Sequence, residues 1–324
     1  MIQENLRVAV LCGGFGNERE VSLRSGSNVA RHLIEAGVQV ALWDPAEKPL
    51  ANLVGSFDAV YNILHGSFGE DGHAQGALAA LGLPFTGESL LVSAVCFHKV
   101  RTKEILKAHH LPTSPWLDFS AFPEATPEHL VQALQDAGLA GPWVLKPAES
   151  GSSVGVQIAR SELELLAALY KLRSPMGWSG YFAEDFVGGR EMTVGLYRDQ
   201  GRRVVLPVLE LKPKSADFYD FQAKYTSGAT QMILPAPLTQ AEQATLQDLA
   251  VRLDRIFHFQ GGVRFDVILG SNGFRILEIN TQPGMTATSD IPAMLGAAGI
   301  PIRDFLFANL ENAVKNKKSF GNAG

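Results

Sequence analysis

The sequence predicts an α/β protein: a parallel, helix-connected sheet followed by two units built from antiparallel strand pairs and helices. Three observations support this. Short apolar runs alternate with helical stretches over the first ~87 residues. From about Glu88 onward, hairpin-like strand pairs replace that alternation. A chain of 324 residues also exceeds what one ordinary core encloses, so two or three packed units are expected. The divisions fall at 1–87, 88–183 and 184–319, with a tail at 320–324.

The first run, LRVAVL, ends at Gly13-Gly14 and reads as a buried parallel strand. VSLRSGSNVARHLIEAG is a helix closing at Gly37. VQVALWDP and FDAVYNIL are further strands, and GHAQGALAALG is the next helix. On such sheets ligands bind beyond the carboxyl ends of the strands, here Gly13-Gly14 and His65-Gly66. SLLVSAVCFHKVRTKEILKAHH reads as one helical stretch, and PEHLVQALQDAG as another. WVLKPA and GVQIAR form two strands around a Gly/Ser-rich loop. SELELLAALYKL has a Ser N-cap with Glu164 three residues on, the pattern of a capping box. REMTVGLYRD and RRVVLPVLEL make a hairpin around Asp199–Gly201. Residues 212–231 are polar without apolar periodicity, as expected of a lid. A long helix, the strand pair GGVRFDVIL and GFRILEIN, and a final helix complete the chain.

Composition narrows the function classes. Hydrophobic residues are 46% and charged residues 19%, a globular balance. With a net charge of −5 and only the short KNKK run near the end, no nucleic-acid partner is expected. Cys12 and Cys96 both sit in apolar runs and read as small buried hydrophobes. Neither a signal-peptide pattern nor a membrane-length apolar run is present, so a cytoplasmic protein without a membrane partner is expected.

Chemistry concentrates in three places. Arg264 and Asp266 are two apart on one strand, and Glu278 and Asn280 are two apart on the next. Their oxygens suit a hard cation carrying phosphates, with Arg264 beside them as a fork for phosphate or an oxyanion. The loop ESGSSVG (149–155) follows Lys146, and a Gly/Ser loop lets backbone amides approach phosphate oxygens. It lacks the Gly-Lys-Ser/Thr of a Walker loop. Third, HGSFGEDGHAQG (65–76) crowds Gly, His and acids at the end of a parallel strand, with Asp71 placed to cap the following helix.

Together the ordered segments HGSFGEDGHAQG, LKPAESGSSVGV, FAEDFVGGRE, FQAKY, RFDVIL and LEINTQPGMT, with GGFGNEREVSLRSG ahead of them, resemble the D-alanine–D-alanine ligase family of the ATP-grasp superfamily. The resemblance runs from about Val8 to Glu311. It implies an ATP-grasp fold in which two α+β units clamp ATP beside the N-terminal sheet. It implies ATP-dependent ligation of two D-alanines through an acyl phosphate, with ATP and magnesium or manganese, two ions, as cofactors. D-amino acids would be the substrates and the chain a homodimer.

Position by position, Asp266, Glu278 and Asn280 match the metal ligands, and Lys99, Lys146 and Lys224 match the lysines on the ATP phosphates. Glu184 and Val187 match the adenine contacts, and Glu191 the ribose contact. Ser152 and Ser153 lie in the loop over the phosphates. Glu20 matches the acid for the first substrate's ammonium, with His65 near that substrate. Arg264 and Gly284 N–H match the oxyanion stabilisers, and Ser289 the holder of the second carboxylate. Tyr225 matches a lid tyrosine linked to Ser152 and Glu20, which favours an amine over a hydroxy-acid nucleophile.

Departures from the family pattern are His98 in place of an Asp before Lys99, Glu149-Ser150 in place of Arg-Glu, and Asp290 in place of an apolar residue. Asp290 reads either as a solvated loop acid or as a determinant of a second substrate other than D-alanine, such as D-serine, D-lactate or another amino acid. Two other readings are a dehydrogenase on the N-terminal sheet and a non-catalytic nucleotide binder. Gly13-Gly14-Phe15-Gly16 lacks the third glycine of a dinucleotide fingerprint. Asp266, Glu278 and Lys224 are all retained, which weighs against the second.

Overall fold

The structure is a computed structural model and describes residues 6–151, 155–172, 178, 180–213 and 230–320. Its first sheet is parallel, with β1 (Arg7–Leu11) between β2 (Gln39–Trp43) and β3 (Ala59–Asn62). Between β1 and β2 runs α1 (Arg19–Glu35), which buries Val29, Ala30 and Leu33. α2 (His73–Ala80) follows the loop after β3. Asp71 holds that loop from both sides, accepting the N–H of Phe68 at 2.7 Å and of His73 at 3.1 Å.

The expected single helix after Glu88 is broken into α3 (Leu90–Phe97) and α4 (Lys99–Ala108). His98 is extended at the break, and its Nδ1 accepts the Arg101 N–H at 3.4 Å. An imidazole acceptor here starts a fresh helix, so Lys99 becomes the first residue of a helix rather than mid-helix.

The second sheet is antiparallel, in the order β4 (Trp116–Asp118), β7 (Tyr181–Asp185), β5 (Trp143–Pro147), β6 (Gln157–Ala159). α5 (Pro127–Asp136) and α6 (Glu162–Leu172) pack with it around Phe119, Leu134, Leu145, Leu165 and Trp178. The capping box expected at Ser161 forms only in half. Ser161 Oγ accepts the Glu164 N–H at 3.2 Å, but the Glu164 carboxylate takes the Arg160 N–H at 2.7 Å, one residue too early. The reciprocal box occurs at Thr239–Glu242, opening α7 (Gln240–Phe257).

The third sheet runs β11 (Thr230–Ile233), β10 (Leu209–Pro213), β8 (Arg190–Asp199), β12 (Val263–Gly270), β13 (Gly273–Asn280). The stretch read as one strand after Gly201 is two. β9 (Arg202–Val205) pairs with 196–199 of β8, and β10 pairs with 191–193 of the same strand. Pro207, which has no N–H to offer the ladder, lies in the gap between them.

One core joins elements on either side of residue 87. Val10, Leu33 and Ile63 of the parallel sheet and its helix pack with Leu209, Met285, Ile291 and Phe305. Two of these come from α8 (Asp290–Ala297) and α9 (Ile302–Phe320). The polypeptide crosses between units at a close backbone contact. A Cβ on Gly261 would lie 2.8 Å from Gly87 Cα. Glu88 is 1% exposed there, and its carboxylate accepts the N–H of Gln260 at 3.0 Å and of Gly261 at 2.8 Å.

Removing that carboxylate leaves two buried donors without an acceptor. Glu88→Ala is therefore expected to cost about 2–4 kcal/mol. Glu88→Gln, which keeps one acceptor oxygen, should cost less. Urea midpoints read both, and an unchanged midpoint for Glu88→Ala would show that the joint does not depend on this side chain.

Candidate active site

The site begins at the pairing of β12 with β13. Along β13, Phe274 and Ile276 face the hydrophobic core, so strict alternation would turn Glu278 into that core as well. It does not, because the register shifts. Val267 pairs with Ile276 while Asp266 pairs with Glu278, leaving Leu277 as an extra residue. Beyond this bulge Ile279 points into the core, and Glu278 and Asn280 point the other way, with Arg264 and Asp266 of β12. The face is then tied together: Asn280 Nδ2 donates to Asp266 Oδ2 at 3.2 Å, and Arg264 Nη2 lies 3.4 Å from the same oxygen.

Among the described residues, two sizeable cavities open on this face. The larger, about 490 Å³, is a slot between the second and third sheets, within the usual size range of a small-molecule site. Its walls include the apolar Val144, Ile158, Val187, Leu211, Ile268 and Leu277 and the polar Lys99, Lys146, Glu184, Glu191, Asp266 and Glu278. The second, about 240 Å³, lies between the N-terminal unit and the third sheet. It is lined by Glu18, Arg24, His65 and Glu70 on one side and by Arg264, Asn280, Gly284, Ser289 and Asp290 on the other. Glu278 lines both.

Several basic groups on this surface have acidic partners. Lys99 Nζ lies 3.3 Å from Glu278 Oε2 and donates to Ser150 O at 2.5 Å. Lys146 Nζ lies 2.5 Å from Glu184 Oε1, and Lys103 Nζ lies 2.6 Å from Glu184 Oε2. Burial pushes the Glu184 carboxyl upward, but the two lysines overcome this and hold it below the usual carboxylate range. Burial likewise lowers Lys146, yet Glu184 prevails and raises it; for Lys103 burial prevails and its value falls. Arg264 Nη1 donates to Asp290 Oδ2. Asp290 thus lines the smaller cavity with its carboxylate paired to Arg264 and its side chain 14% exposed, rather than standing as a freely solvated loop acid.

The loop after β3 is held by its own side chains. His65 is 7% exposed, with Nε2 3.3 Å from Ser25 Oγ and Nδ1 3.9 Å from Glu70 Oε1. Glu70 Oε2 accepts the Gly66 N–H at 3.1 Å. Across the cavity Ser289 Oγ accepts the Thr286 N–H at 3.0 Å, and a Cβ on Gly284 would lie 3.0 Å from that hydroxyl oxygen.

One expected position is displaced. Glu20 is exposed on α1 and lines neither cavity. Glu18, at the N-terminal end of the helix, lines the smaller one. Its carboxylate packs so closely between Gly66 and Gly151 that a Cβ at either would collide with Oε2. Two residues along a helix is a rotation of roughly 200°, so only one of these acids can face the site. Ser152, Ser153, Lys224 and Tyr225, and most of the segment expected to form a lid, lie outside the described residues. The sequence reading also passed over Lys103, although Val100, Lys103 and Leu106 share the buried face of α4 at helical spacing.

The dehydrogenase reading fails on geometry. Gly13 and Gly14 have φ of +88° and +85°, and they fold around Asp44, which accepts the Gly14 N–H at 3.0 Å and pairs with Arg19. The glycines thus accommodate an internal carboxylate where a dinucleotide's pyrophosphate would need to sit.

Comparison with known proteins agrees with this geometry. The family described as D-ala D-ala ligase C-terminus matches residues 105–310. D-alanine–D-alanine ligase from Thermotoga petrophila is 38% identical over 310 residues, 95% of this chain and 97% of its own length. This chain belongs to the D-alanine–D-alanine ligase family. Among solved structures, D-alanyl-alanine synthetase A from Vibrio cholerae superposes with a TM-score of 0.83 at 26% identity, covering 97% of this chain and all (100%) of its own. The D-alanine–D-alanine ligase from Bacillus anthracis complexed with ATP shares the fold, with a TM-score of 0.80 at 24% identity, covering 98% and 100% of the two chains. Membership in this family makes the chain an ATP-dependent carboxylate–amine ligase with the ATP-grasp fold. Among the described residues no single helix is long and apolar enough to cross a membrane.

The displaced acid gives a direct test. Glu18→Gln should raise the KM for the first D-alanine by about 10–100-fold, the loss of one charged hydrogen bond to its ammonium. Glu20→Gln should stay within about twofold of wild type. The reverse order in steady-state kinetics would return the role to Glu20.

Proposed function

We propose that this chain joins two D-alanines to D-alanyl-D-alanine with ATP as the energy source, releasing ADP and phosphate and supplying a precursor for peptidoglycan. The observation that carries this reading is Glu278. It lines both the nucleotide-sized slot and the smaller polar cavity, so a transferable phosphoryl group and a carboxylate can meet beside it. The adenine and ribose fit the slot near Val187 and Glu191, and the phosphates fit at Lys99 and Lys146. The first D-alanine fits between Glu18, which takes its ammonium, and His65.

Asp266, Glu278 and Asn280 suit magnesium. All three offer oxygen, and cross-strand pairing sets Asp266 opposite Glu278. Asp266, Glu278 and Asn280 would hold the ion together with phosphate oxygens of the bound nucleotide, as is usual for magnesium. A metal held there supplies charge neutralisation to the transferring phosphoryl group.

The first carboxylate attacks the γ-phosphorus in line, and Lys99 and Lys146 take up negative charge as the bond to ADP breaks. The amine of the second D-alanine then attacks the acyl-phosphate carbonyl carbon. In this scheme Arg264 and the N–H of Gly284, two residues that line the smaller cavity, stabilise the oxyanion, and the carbon–oxygen bond to phosphate breaks. Ser289, whose hydroxyl contacts that of Thr286, takes the second carboxylate in this scheme. Asp266 and Asp290 grip the guanidinium of Arg264 from two sides, which fixes its aim. Because Asp290 is occupied in this way, its presence does not argue for a cationic second substrate, and D-alanine remains the preferred one. A cytoplasmic homodimer is the corresponding form of the family.

Phosphate release should require D-alanine and magnesium together. Glu278→Gln should lower kcat at least about 100-fold while leaving the fold intact. Equal turnover with and without EDTA would remove the metal from the scheme. Asp290→Leu should lower kcat about 3–10-fold through a poorly aimed Arg264, leave the KM for ATP within about twofold, and be partly restored by Asp290→Glu. Mass spectrometry of the product, with labelled D-alanine against mixed amino acids, checks the dipeptide. A product built on another amine would overturn D-alanine at the second position and leave the ligase chemistry standing.

A further inference from the structure

Lys103 is 1% exposed, and nothing in the scheme above uses it. A lysine that deep is costly to keep charged unless it is compensated. Its ammonium is well supplied with acceptors: Thr113 Oγ1 at 2.8 Å, Ser114 O at 3.0 Å and Glu184 Oε2 at 2.6 Å, with the Trp116 ring centroid 5.4 Å away. Lys103 does not line the nucleotide slot, whereas Glu184 and Lys146 do.

Glu184 is itself 2% exposed and holds Lys146 through its other oxygen at 2.5 Å. The cluster therefore contains two cations around one anion. With Glu184 and Lys146 alone, the pair would be neutral, and a phosphate approaching Lys146 would meet a cation already balanced by its carboxylate. Lys103 supplies the second positive charge from the far side of Glu184. The surplus is expressed at the one of these two cations that lines the cavity, Lys146, whose side chain is 16% exposed. Glu278 and Glu191 also act on Lys146, and Asp185 on Lys103; Lys99, 3.3 Å from Glu278, offsets the first of these acids, which leaves Lys103 all the more needed to balance the rest.

We propose that Lys103 is a positioning residue for the phosphate end of the slot: by occupying one oxygen of Glu184 it leaves the buried Lys–Glu–Lys cluster with a net positive charge that Lys146 presents to a nucleotide's phosphates. The inference rests on the slot being the ATP site, and it assigns a source to that site's phosphate preference. A residue that only braced α4 against β7 would affect every nucleotide-like ligand equally. A charge donor affects phosphates and spares the nucleoside.

The experiment compares the affinities of magnesium–ATP, magnesium–ADP and adenosine by calorimetry or displacement of a fluorescent nucleotide. Lys103→Met should weaken ATP and ADP by about tenfold or more and leave adenosine within about twofold. Lys103→Gln can still donate to Thr113 and Ser114 and should show the same pattern, which covers the case in which the apolar variant folds poorly. The double variant Lys103→Met, Glu184→Gln removes one charge of each sign, so its ATP-to-adenosine ratio should return toward wild type. Equal weakening of all three ligands, or no weakening of ATP, overturns the proposal, as does a double variant no better than Lys103→Met. If wild type binds adenosine and ATP nowhere near this slot, as read by protection of Lys146 from chemical labelling, the nucleotide reading itself fails and this inference falls with it.

Discussion

The register of β12 against β13 decides which face of the third sheet carries charge. Strands alternate sides with a period of two, so one residue of slip would exchange a carboxylate for an isoleucine. Without the extra residue at Leu277, Glu278 would enter the core formed by Phe274, Ile276 and Phe265. The bulge turns it outward beside Asn280 and opposite Asp266, while Ile279 still closes the core. A burial penalty of several kcal/mol for an unpaired carboxylate is what holds the bulge in place. The sheet's hydrophobic side and its chemical side are therefore set by one local irregularity.

Around that face the protein deals with charge in pairs and clusters. Lys99 meets Glu278, Arg264 meets Asp266 and Asp290, and Lys146 shares Glu184 with Lys103. These are not surface ion pairs of little consequence. Most of the partners are largely buried, where screening is weak and geometry is fixed by strands and helix starts. Such pairs align the cations on a common surface before any reaction, so little reorganisation is required when phosphate and oxyanion charge develops. The break at His98 serves the same end: it makes Lys99 the first residue of α4, with its N–H on Ala148 O at 2.8 Å and its ammonium reaching the third sheet.

The arrangement also depends on how the units are joined. The smaller cavity has one wall from α1 and the loop after β3 and the other from β12, β13 and the start of α8. These walls stay in register because the parallel sheet shares a core with Met285, Ile291 and Phe305, and because Glu88 binds the backbone at Gln260 and Gly261. A ligand bridging the walls therefore meets a fixed spacing.

Much of this was legible in the residues themselves. Apolar runs alternating with helical stretches identified the parallel sheet, since burial on both faces leaves little other pattern. The same-face spacing of Arg264 with Asp266, and of Glu278 with Asn280, pointed to a polar strand surface, and glycine-rich segments marked the loops around it. What sequence spacing could not decide is which of several acids faces inward. Glu18 and Glu20 are equally plausible on paper, and only the path of α1 against Gly66 and Gly151 selects Glu18. Lys103 looked like an ordinary helix charge, although its place in the Val100–Leu106 stripe was a signal, because its acidic partner lies some eighty residues away on β7. Asp290 was left between a solvated acid and a substrate determinant because its partner Arg264 lies 26 residues away on another element. The sequence alone determined most of the elements and the chemical inventory, through local periodicity and residue type, but not the breaks at His98 and Pro207. Tertiary structure alone decided the pairings, because a buried charge takes its state from neighbours brought to it by the fold.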